Sequence, residues 1–357
     1  MSVIINGTDG LTFNDASLQA SAASPFGLKN RLINGGFDIA QRGNTFTSTS
    51  SANNDDTYVL DRWYILSDGN DVVDVTQTTT VPTAGAKYSI GLDVETVNKK
   101  FGVAQIIENV NCIGAIGSTV TLSFQAKVSA TTKLDNVKCA IVAWSGTEDT
   151  VTSDIISAWN VEGTNPTLIA NATYENTPAN LNVTTSFATY SVTAAVDTAS
   201  TSNLVLFVWS DVTDTTLGDF LYITNVQLEV GSTATPFERR LLGTELALCQ
   251  RYYYKHASGA AQTICMGAYY NSTYVRGVVQ FPVTMRATPT ISAFSGASAY
   301  LIYRNSATDD FNSIVGDNIG VNATCLYNNT DVSGTAGQSG DMITNSSQAY
   351  VSFVSEL

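Results

Sequence analysis

The stretch from Phe220 to Tyr254 changes its hydrophobic period halfway along, and this change divides the chain. Its first part alternates between two sets of residues with the period of a strand that has one apolar face. Pro236, which cannot donate a backbone hydrogen bond, prevents a central strand from continuing. Apolar residues then fall at helical spacing, with Thr244 placed to act as N-cap and Glu245 in the first turn. The sequence therefore predicts a β domain, a short helical linker and a second β domain, in that order. One face of the predicted strand carries Phe220, Tyr222, Thr224, Val226, Leu228 and Val230, and the residues at helical spacing are Leu242, Leu246, Cys249 and Tyr253.

Similar strand patterns, separated by clusters of Gly, Asn, Asp and Thr, occupy much of the chain before residue 240. Two runs, at 137–144 and 204–209, are almost continuously apolar, as expected of strands that are covered on both faces. Many strands with no helical stretch between them predict an all-β fold, here a β-sandwich over residues 28–240. The candidate strands are Tyr58–Leu66, Ala86–Val94, Val103–Glu108, Val120–Val128, Val137–Trp144 and Leu204–Trp209.

Residues 241–357 are predicted to form the short helix and a smaller β-sandwich. Long segments rich in Asn, Asp, Ser and Gly, at 305–318 and 328–340, are predicted to be loops of the kind that often carry function. The candidate strands are Gln262–Tyr270, Thr273–Phe281, Pro289–Phe294, Tyr300–Arg304 and Tyr350–Val354.

Residues 1–27 form a separate N-terminal unit with two predicted short strands, at 2–5 and 11–13. Two such strands cannot bury enough surface to be stable alone. They need copies of themselves in an oligomer or a surface to dock on, unless the segment is a frayed terminus.

The composition disfavours several classes of partner. The net charge is −14, from 17 basic and 31 acidic residues, which disfavours nucleic acid and anionic membranes. No run approaches the roughly 18 apolar residues of a membrane span, and the N-terminus lacks the features of a signal peptide. The five cysteines have no zinc-ligand spacing and lie in apolar patterns, which indicates buried free thiols made in a reducing compartment.

Catalytic motifs do not stand out from the sequence. His256 is the single histidine, and no G-x-S-x-G motif accompanies it. Glycoside hydrolysis needs two carboxylates at a fixed separation, and the acidic residues lie mostly in predicted loops that the sequence cannot pair. We therefore expect a protein that is not an enzyme, with a glycan depolymerase as the less favoured alternative.

Several segments resemble bacteriophage tail fibre and receptor-binding proteins, in the same order along the chain. They are GLTFNDASLQASAA, FGLKNRLINGGFDIAQRG, YVLDRWYI, VQLEVGSTATPFERR and GTELALCQRYYYK. The resemblance implies a homotrimeric virion fibre, made in the host cytoplasm, whose residues 1–27 attach to a tail or baseplate protein. It further implies that residues 28–240 form a jelly roll like those of carbohydrate-binding modules, in which LINGGFD and FLYITNVQLE are the first and last strands and lie close together. The distal domain would bind a host-surface polysaccharide. A decoration or fibre of the head or baseplate without a receptor role is the alternative.

Aromatic residues beside polar loops are the candidate glycan contacts, since sugars pack on Trp and Tyr while Asn and Asp bind their hydroxyls. Three tryptophans, at 63, 144 and 209, lie in apolar strands and are predicted to be core instead. The resemblance also implies a structural Ca²⁺, with Asp38 and Asn225 as candidate ligands, although an Asp would be typical at position 225. The candidate glycan contacts are Tyr269, Tyr270, Tyr274, Tyr303 and Trp159.

Overall fold

The computed structural model describes residues 28–357 and, within residues 1–27, the backbone of three short strands. These strands pair antiparallel in chain order, with Ile4 opposite Thr12 and Leu11 opposite Gln19. The prediction of a virion-attachment segment over residues 1–27 otherwise lies outside the described residues. The three strands are β1 (Ile4–Asn6), β2 (Gly10–Thr12) and β3 (Leu18–Gln19).

The first domain is a β-sandwich, as predicted. Its two antiparallel sheets have the strand orders β14-β9-β16-β7-β6-β4 and β13-β10-β15-β8-β5, and β11 pairs with β12 in a separate hairpin. A 3₁₀ turn at Thr49–Ser51 and a single-turn helix, α1 (Asn109–Cys112), interrupt a region for which no helix was predicted. The strands are β4 (Thr45–Phe46), β5 (Tyr64–Ser67), β6 (Val73–Thr78), β7 (Ser89–Val94), β8 (Phe101–Ile107), β9 (Thr119–Val128), β10 (Val137–Trp144), β11 (Ile156–Ala158), β12 (Thr167–Leu168), β13 (Ala172–Tyr174), β14 (Ala188–Ala195), β15 (Asn203–Ser210) and β16 (Phe220–Val230).

The five-stranded sheet is covered on both faces. Alternate residues of β10 and β15, such as Ile141 and Leu206, belong to the core between the two sheets. The residues between them, such as Val142 and Phe207, belong to a second apolar cluster on the outer face, against which Trp159 of the segment between β11 and β12 packs. This second layer explains the two almost continuously apolar runs, and Trp63, Trp144 and Trp209 are all buried, as predicted.

Strand β16 contains a bulge at Asn225. Its pairing with β9 shifts between Thr224 and Gln227, and Asn225 has a φ of 52°. The extra residue reverses the alternation between core-facing and outward-facing side chains. Odd-numbered residues before the bulge and even-numbered residues after it therefore point to the core. The prediction of one unbroken alternation along this strand is therefore wrong. The core-facing residues are Leu221, Ile223, Val226 and Leu228.

The segment that opens the first domain runs beside β16, in agreement with the prediction that the opening and closing segments meet. The N–H of Arg31 donates to the carbonyl of Leu228, and the N–H of Val226 donates to that of Gly35, both at 2.8 Å. A Cβ atom on Gly35 would lie 2.0 Å from the carbonyl oxygen of Val226. A larger residue at this position would therefore force the two segments apart.

Helix α2 (Leu242–Gln250) forms the predicted linker but begins earlier than expected. Its N-cap position is Leu241, without a side-chain cap, so the prediction of Thr244 as N-cap is wrong. Glu245, in the first turn, accepts a hydrogen bond from the N–H of Asn34. The helix is therefore tied directly to the segment that opens the first domain.

The second domain is also a sandwich of two antiparallel sheets. Their strand orders are β17-β26-β20 and β22-β21-β25-β18-β19-β24-β23, and buried residues of both sheets, including Met342 and Phe353, form one core. Segment 305–318, predicted to be a loop, contains two strands, because Phe311 and Ile314 bury their side chains in this core. Segment 328–340 is a loop up to the start of β25, as predicted. The strands are β17 (Tyr253–Ser258), β18 (Thr263–Asn271), β19 (Tyr274–Gln280), β20 (Thr290–Ala293), β21 (Tyr300–Arg304), β22 (Ala307–Phe311), β23 (Val315–Asp317), β24 (Ala323–Asn328), β25 (Ser339–Thr344) and β26 (Tyr350–Val354).

All five cysteine thiols are free, and four of them are buried, which agrees with the prediction of free thiols. In the part of the chain that the structure describes, no helix is long and apolar enough to cross a bilayer.

The two domains are joined at a second place besides α2, because residues 356 and 357 return to the first domain. Glu356 forms ion pairs with the buried Arg62 and, at 3.1 Å, with Arg42. The hydroxyl of Tyr58 donates to the carbonyl of Leu357 at 2.9 Å. The sequence predicted the helical linker as the connection between the two domains, and this prediction is therefore incomplete.

We expect Glu356→Ala to lower the free energy of unfolding by about 3–5 kcal/mol, since it leaves the guanidinium of Arg62 buried without its anion. Chemical denaturation of the full chain measures this change. Asp214→Ala is the matched control, because Asp214 pairs with Lys133 at the surface, and it should change stability by less than about 1 kcal/mol. Equal effects of the two variants would contradict the prediction.

The stability of the first domain should depend on the protonation of Asp56. Burial, followed by the charges of Asp55 and Asp154, raises the pKa of Asp56 to about 7. Between about pH 4 and pH 7 the folded state therefore holds a proton that the unfolded state has lost, so this group makes the protein less stable as the pH rises through that window. We expect Asp56→Asn to raise Tm relative to the wild type at about pH 8 and to lose most of that advantage near pH 4, measured by calorimetry. A difference in Tm that does not change with pH would contradict this assignment.

Candidate functional site

A tight turn between β18 and β19 brings two of the predicted tyrosines together. The turn contains Ser272 and Thr273, and the N–H of Thr273 donates to Oδ1 of Asn271 at 2.9 Å. A side chain that accepts from the backbone two residues later is a common reason for Asn in a turn. Tyr270 and Tyr274 flank the turn, with ring centroids 5.8 Å apart and planes at 79°.

A third tyrosine, which the sequence did not indicate, completes the cluster. Tyr327 in β24 lies opposite Arg276 in β19, on the same face of the sheet as Tyr274. The rings of Tyr274 and Tyr327 are 5.3 Å apart at 75°. The signal for Tyr327 was weak because its strand has only six residues. We call Tyr270, Tyr274 and Tyr327 the tyrosine cluster.

Tyr274 and Tyr327 of the tyrosine cluster line an open groove of about 420 Å³ together with polar side chains. Tyr270 is 71% exposed, so its ring is available to a ligand. Aromatic faces beside carboxylate, amide and hydroxyl groups can pack against a sugar ring and bind its hydroxyls. The groove lining is Asn271, Thr273, Tyr274, Asp317, Tyr327 and Asn329.

Two of the other predicted contacts are engaged in packing. Tyr269 is 1% exposed, its hydroxyl donates to Asp309, and its ring lies 4.9 Å below the guanidinium of Arg304. Tyr269 and Tyr270 are consecutive in β18 and point to opposite faces of the sheet, so Tyr269 points into the core. The prediction that Tyr269 contacts a glycan is therefore corrected. Trp159 is partly buried and packs edge-on against Phe207, with centroids 5.8 Å apart.

Tyr303 is 51% exposed but lies apart from the tyrosine cluster. It lines a separate concavity at the turn between β21 and β22, together with Arg304, Asn305 and Ser306. The structure therefore brings together Tyr270 and Tyr274, and it separates them from the remaining candidates.

The first domain has a concavity of about 320 Å³ on the outer face of its six-stranded sheet. Ser123, Gln125 and Asn225 line it, and Phe237 forms part of its wall. Nδ2 of Asn225 donates to Gln125 at 2.7 Å, whereas its Oδ1 is buried without a hydrogen-bond partner. This oxygen can accept a hydrogen bond from a ligand. After position 223 the apolar residues change from odd-numbered to even-numbered positions. This change was the sequence signal for the bulge that places Asn225 in the concavity.

The residues predicted to bind Ca²⁺ do not fit that ion. The guanidinium of Arg239 donates to Asp38 at 2.7 Å and to the carbonyl of Gly85 at 3.2 Å. Asn225 also turns its amide nitrogen toward Gly85, at 3.3 Å. Ca²⁺ needs about six to eight oxygen ligands. An arginine already supplies the positive charge beside Asp38, and among the described residues there is no group of three or more His, Cys, Asp or Glu side chains that could hold a metal ion.

No family model matches the sequence, and no curated protein matches it. Among solved structures, the enzymatically active domain of tailspike protein 4 from bacteriophage CBA120 matches at 18% identity with a TM-score of 0.33, over 58% of this chain and 22% of that one. The chain thus spans about a fifth of the length of that structure. TmCBM61 in complex with β-1,4-galactotriose matches at 13% identity with a TM-score of 0.29, over 57% and 99% of the two chains. The CBM22-1 xylan-binding domain of Paenibacillus barcinonensis Xyn10C matches at 14% identity with a TM-score of 0.30, over 48% and 87%. TM-scores below 0.5 do not establish a common fold, so the description of the fold rests on the sheet topology above.

Because Arg239 already pairs with Asp38, we expect Ca²⁺ and a chelator to give the same Tm for the full chain. Calorimetry in excess Ca²⁺ and in excess chelator measures this. A fall in Tm of several degrees on chelation would show that a metal ion binds after all.

Proposed function

We propose that this chain is a non-enzymatic glycan-binding fibre protein of a bacteriophage virion, and that the tyrosine cluster is its contact with a host-surface polysaccharide. The observation that carries the proposal is the contact of the exposed Tyr270 with Tyr274, which lines a polar groove together with Tyr327. Stacking of tyrosine rings on sugars, combined with hydrogen bonds from amides and hydroxyls, is a general mode of glycan recognition. Residues 1–27 attach the fibre to a tail or baseplate protein.

The position of the groove in the second domain supports this role. Strand β19 begins at the groove and ends at Gln280, and the chain then reaches Arg286, whose N–H donates to the carbonyl of Arg251 after α2. The guanidinium of Arg286 also binds the carbonyls of Ser355 and Glu356, beside the first domain. The seven residues of β19 therefore separate the groove from the domain contact by about 20 Å, at a rise of roughly 3.3 Å per residue. A groove at the free end of the second domain is accessible to a large polymer.

The charge of the protein favours a neutral polysaccharide. The net charge is −14, and Asp317 places a carboxylate in the groove itself. An acidic polymer would be repelled by both. Asp317 is the one carboxylate among the described residues that line the groove, whereas glycosidic hydrolysis commonly uses two. We therefore propose binding without cleavage.

A homotrimer would present three grooves to one surface. Weak binding at each groove would then combine into strong attachment, because the second and third contacts form at high effective concentration. Sedimentation of the full chain tests the trimer, independently of any ligand.

Binding of the full chain to purified neutral and acidic bacterial polysaccharides, measured by calorimetry, tests the proposal. We expect Tyr274→Ala to weaken binding to a neutral polysaccharide at least about tenfold, since it removes the central ring of the tyrosine cluster. Tyr303→Ala is the matched control, because it removes an exposed tyrosine outside the groove, and it should bind like the wild type.

Three results would contradict the proposal. Loss of binding in Gln125→Ala but not in Tyr274→Ala would place the contact in the concavity of the first domain. No binding to host cells or to any polysaccharide would favour a decoration protein without a receptor role. Release of new reducing ends during incubation would show that the chain is a hydrolase.

A further inference from the structure

Three ionisable side chains lie together beside the β11–β12 hairpin of the first domain. Asp211 is fully buried, and its carboxylate accepts hydrogen bonds from Lys100 at 2.5 Å and Lys138 at 2.8 Å. The N–H of Gly163 donates to the same carboxylate at 2.9 Å. Nζ of Lys138 also lies 2.9 Å from Oδ1 of Asn165, which belongs to the segment between β11 and β12. The amine of Lys138 thus lies one hydrogen bond from the side-chain amide of Asn165 and one from a buried carboxylate.

The charges of this cluster do not balance if both lysines are protonated. Burial alone raises the pKa of Asp211, but hydrogen bonds from Lys100 and Lys138 outweigh burial and hold the pKa of this carboxyl below its ordinary value. Asp211 is therefore an anion, and two ammonium groups beside it would leave one buried positive charge without compensation, which is costly. A neutral lysine removes this cost.

Lys100 and Lys138 differ in their hydrogen-bond acceptors. Lys100 has three acceptors, Asp211 and the carbonyls of Val161 and Thr164 at 3.1 and 3.4 Å, which match the three N–H groups of an ammonium. Lys138 has two acceptors, the carboxylate of Asp211 at 2.8 Å and Oδ1 of Asn165 at 2.9 Å, so its Nζ lies between the buried carboxylate and the asparagine amide. A neutral, buried lysine amine is a nucleophile.

We propose that Lys138 and Asn165 form an intramolecular isopeptide bond, with Asp211 as the catalytic residue. The amine of Lys138 turns its N–H away from Oδ1 of Asn165 so that its lone pair faces Cγ, the new C–N bond forms there, and an N–H proton of the amine passes to the carboxylate of Asp211. Asp211 then returns this proton to Nδ2 of Asn165, the Cγ–Nδ2 bond breaks, and ammonia leaves. One C–N bond forms and one breaks, no electron is gained or lost, and Asp211 ends as the carboxylate paired with Lys100.

The surroundings of the cluster hold the reacting groups in place. Nδ2 of Asn165 donates to the carbonyl of Pro178 at 3.2 Å, which keeps Oδ1 directed toward Lys138. The indole N–H of Trp209 lies 3.4 Å from Asp211 on the buried side of the cluster. The new bond would tie β10 to a hairpin whose own strands have three and two residues. A covalent link there would keep the hairpin on the outer face of the sheet when the domain is heated or attacked by proteases.

The intact mass of the denatured full chain tests the proposal. We expect the wild type to be lighter than its sequence mass by one ammonia molecule. Lys138→Met and Asn165→Ala should each have their full sequence mass, because each lacks one reacting group. Lys138→Met leaves Lys100 and Asp211 as a balanced pair, so this variant is expected to fold. Lys133→Met is the matched control, since Lys133 is a surface lysine, and it should keep the deficit.

Peptide mapping decides where a deficit lies. A protease digest of the wild type should contain a branched peptide that includes both Lys138 and Asn165. A wild type of full sequence mass would overturn the proposal. A deficit located instead at an Asn-Gly step, such as Asn34-Gly35, would indicate succinimide formation in the backbone and would also overturn it.

Discussion

The ion pair between Arg62 and Glu356 couples the two β domains, and its energetics explain why they form one unit. A buried guanidinium is costly unless its N–H groups are paired. Arg62 pairs with Glu356, donates to the carbonyl of Ile106 at 2.6 Å and lies over the ring of Tyr252 at 3.7 Å, whereas its Nε is buried without a hydrogen-bond partner. Glu356 follows the last strand of the second domain. The first domain therefore attains its full stability only when the second domain has folded against it.

Further contacts around this pair fix the angle between the domains. Glu108 accepts hydrogen bonds from Arg251 at 2.6 Å and from the hydroxyl of Tyr252 at 2.7 Å, directly after α2. Gln41 donates to the carbonyl of Tyr253 at 2.8 Å. Because these groups come from both sides of the linker, rotation about the helix would break several hydrogen bonds at once. The groove beside Tyr274 in the second domain is thereby held in a constant position relative to the first domain.

The sequence was a good guide wherever hydrophobic period alone decides the structure. Val137–Trp144 and Leu204–Trp209 were predicted to be covered on both faces, and each contributes to two apolar clusters. The secondary-structure predictions were wrong where one residue changes the hydrophobic period, as at the bulge of Asn225. They were also wrong where one buried side chain holds a short polar strand in place, as Phe311 does. For the candidate site, the sequence indicated Tyr270 and Tyr274 as separate candidates, and the structure shows that they are neighbours across the turn at Asn271. Tyr327 was missed because strand pairing, which local sequence does not encode, brings it to them.

The sequence by itself determined the all-β class, the division near residue 240, the helical linker and the tryptophans of the core, because each of these follows from local periodicity and residue type. Tertiary structure alone decided which tyrosines are exposed, that Arg239 stands beside Asp38, and that Lys138, Asn165 and Asp211 meet. These outcomes depend on contacts between residues far apart in the chain. Such contacts are set by the pairing register of strands and by the burial of charge, and neither quantity can be read from the neighbours of a single residue.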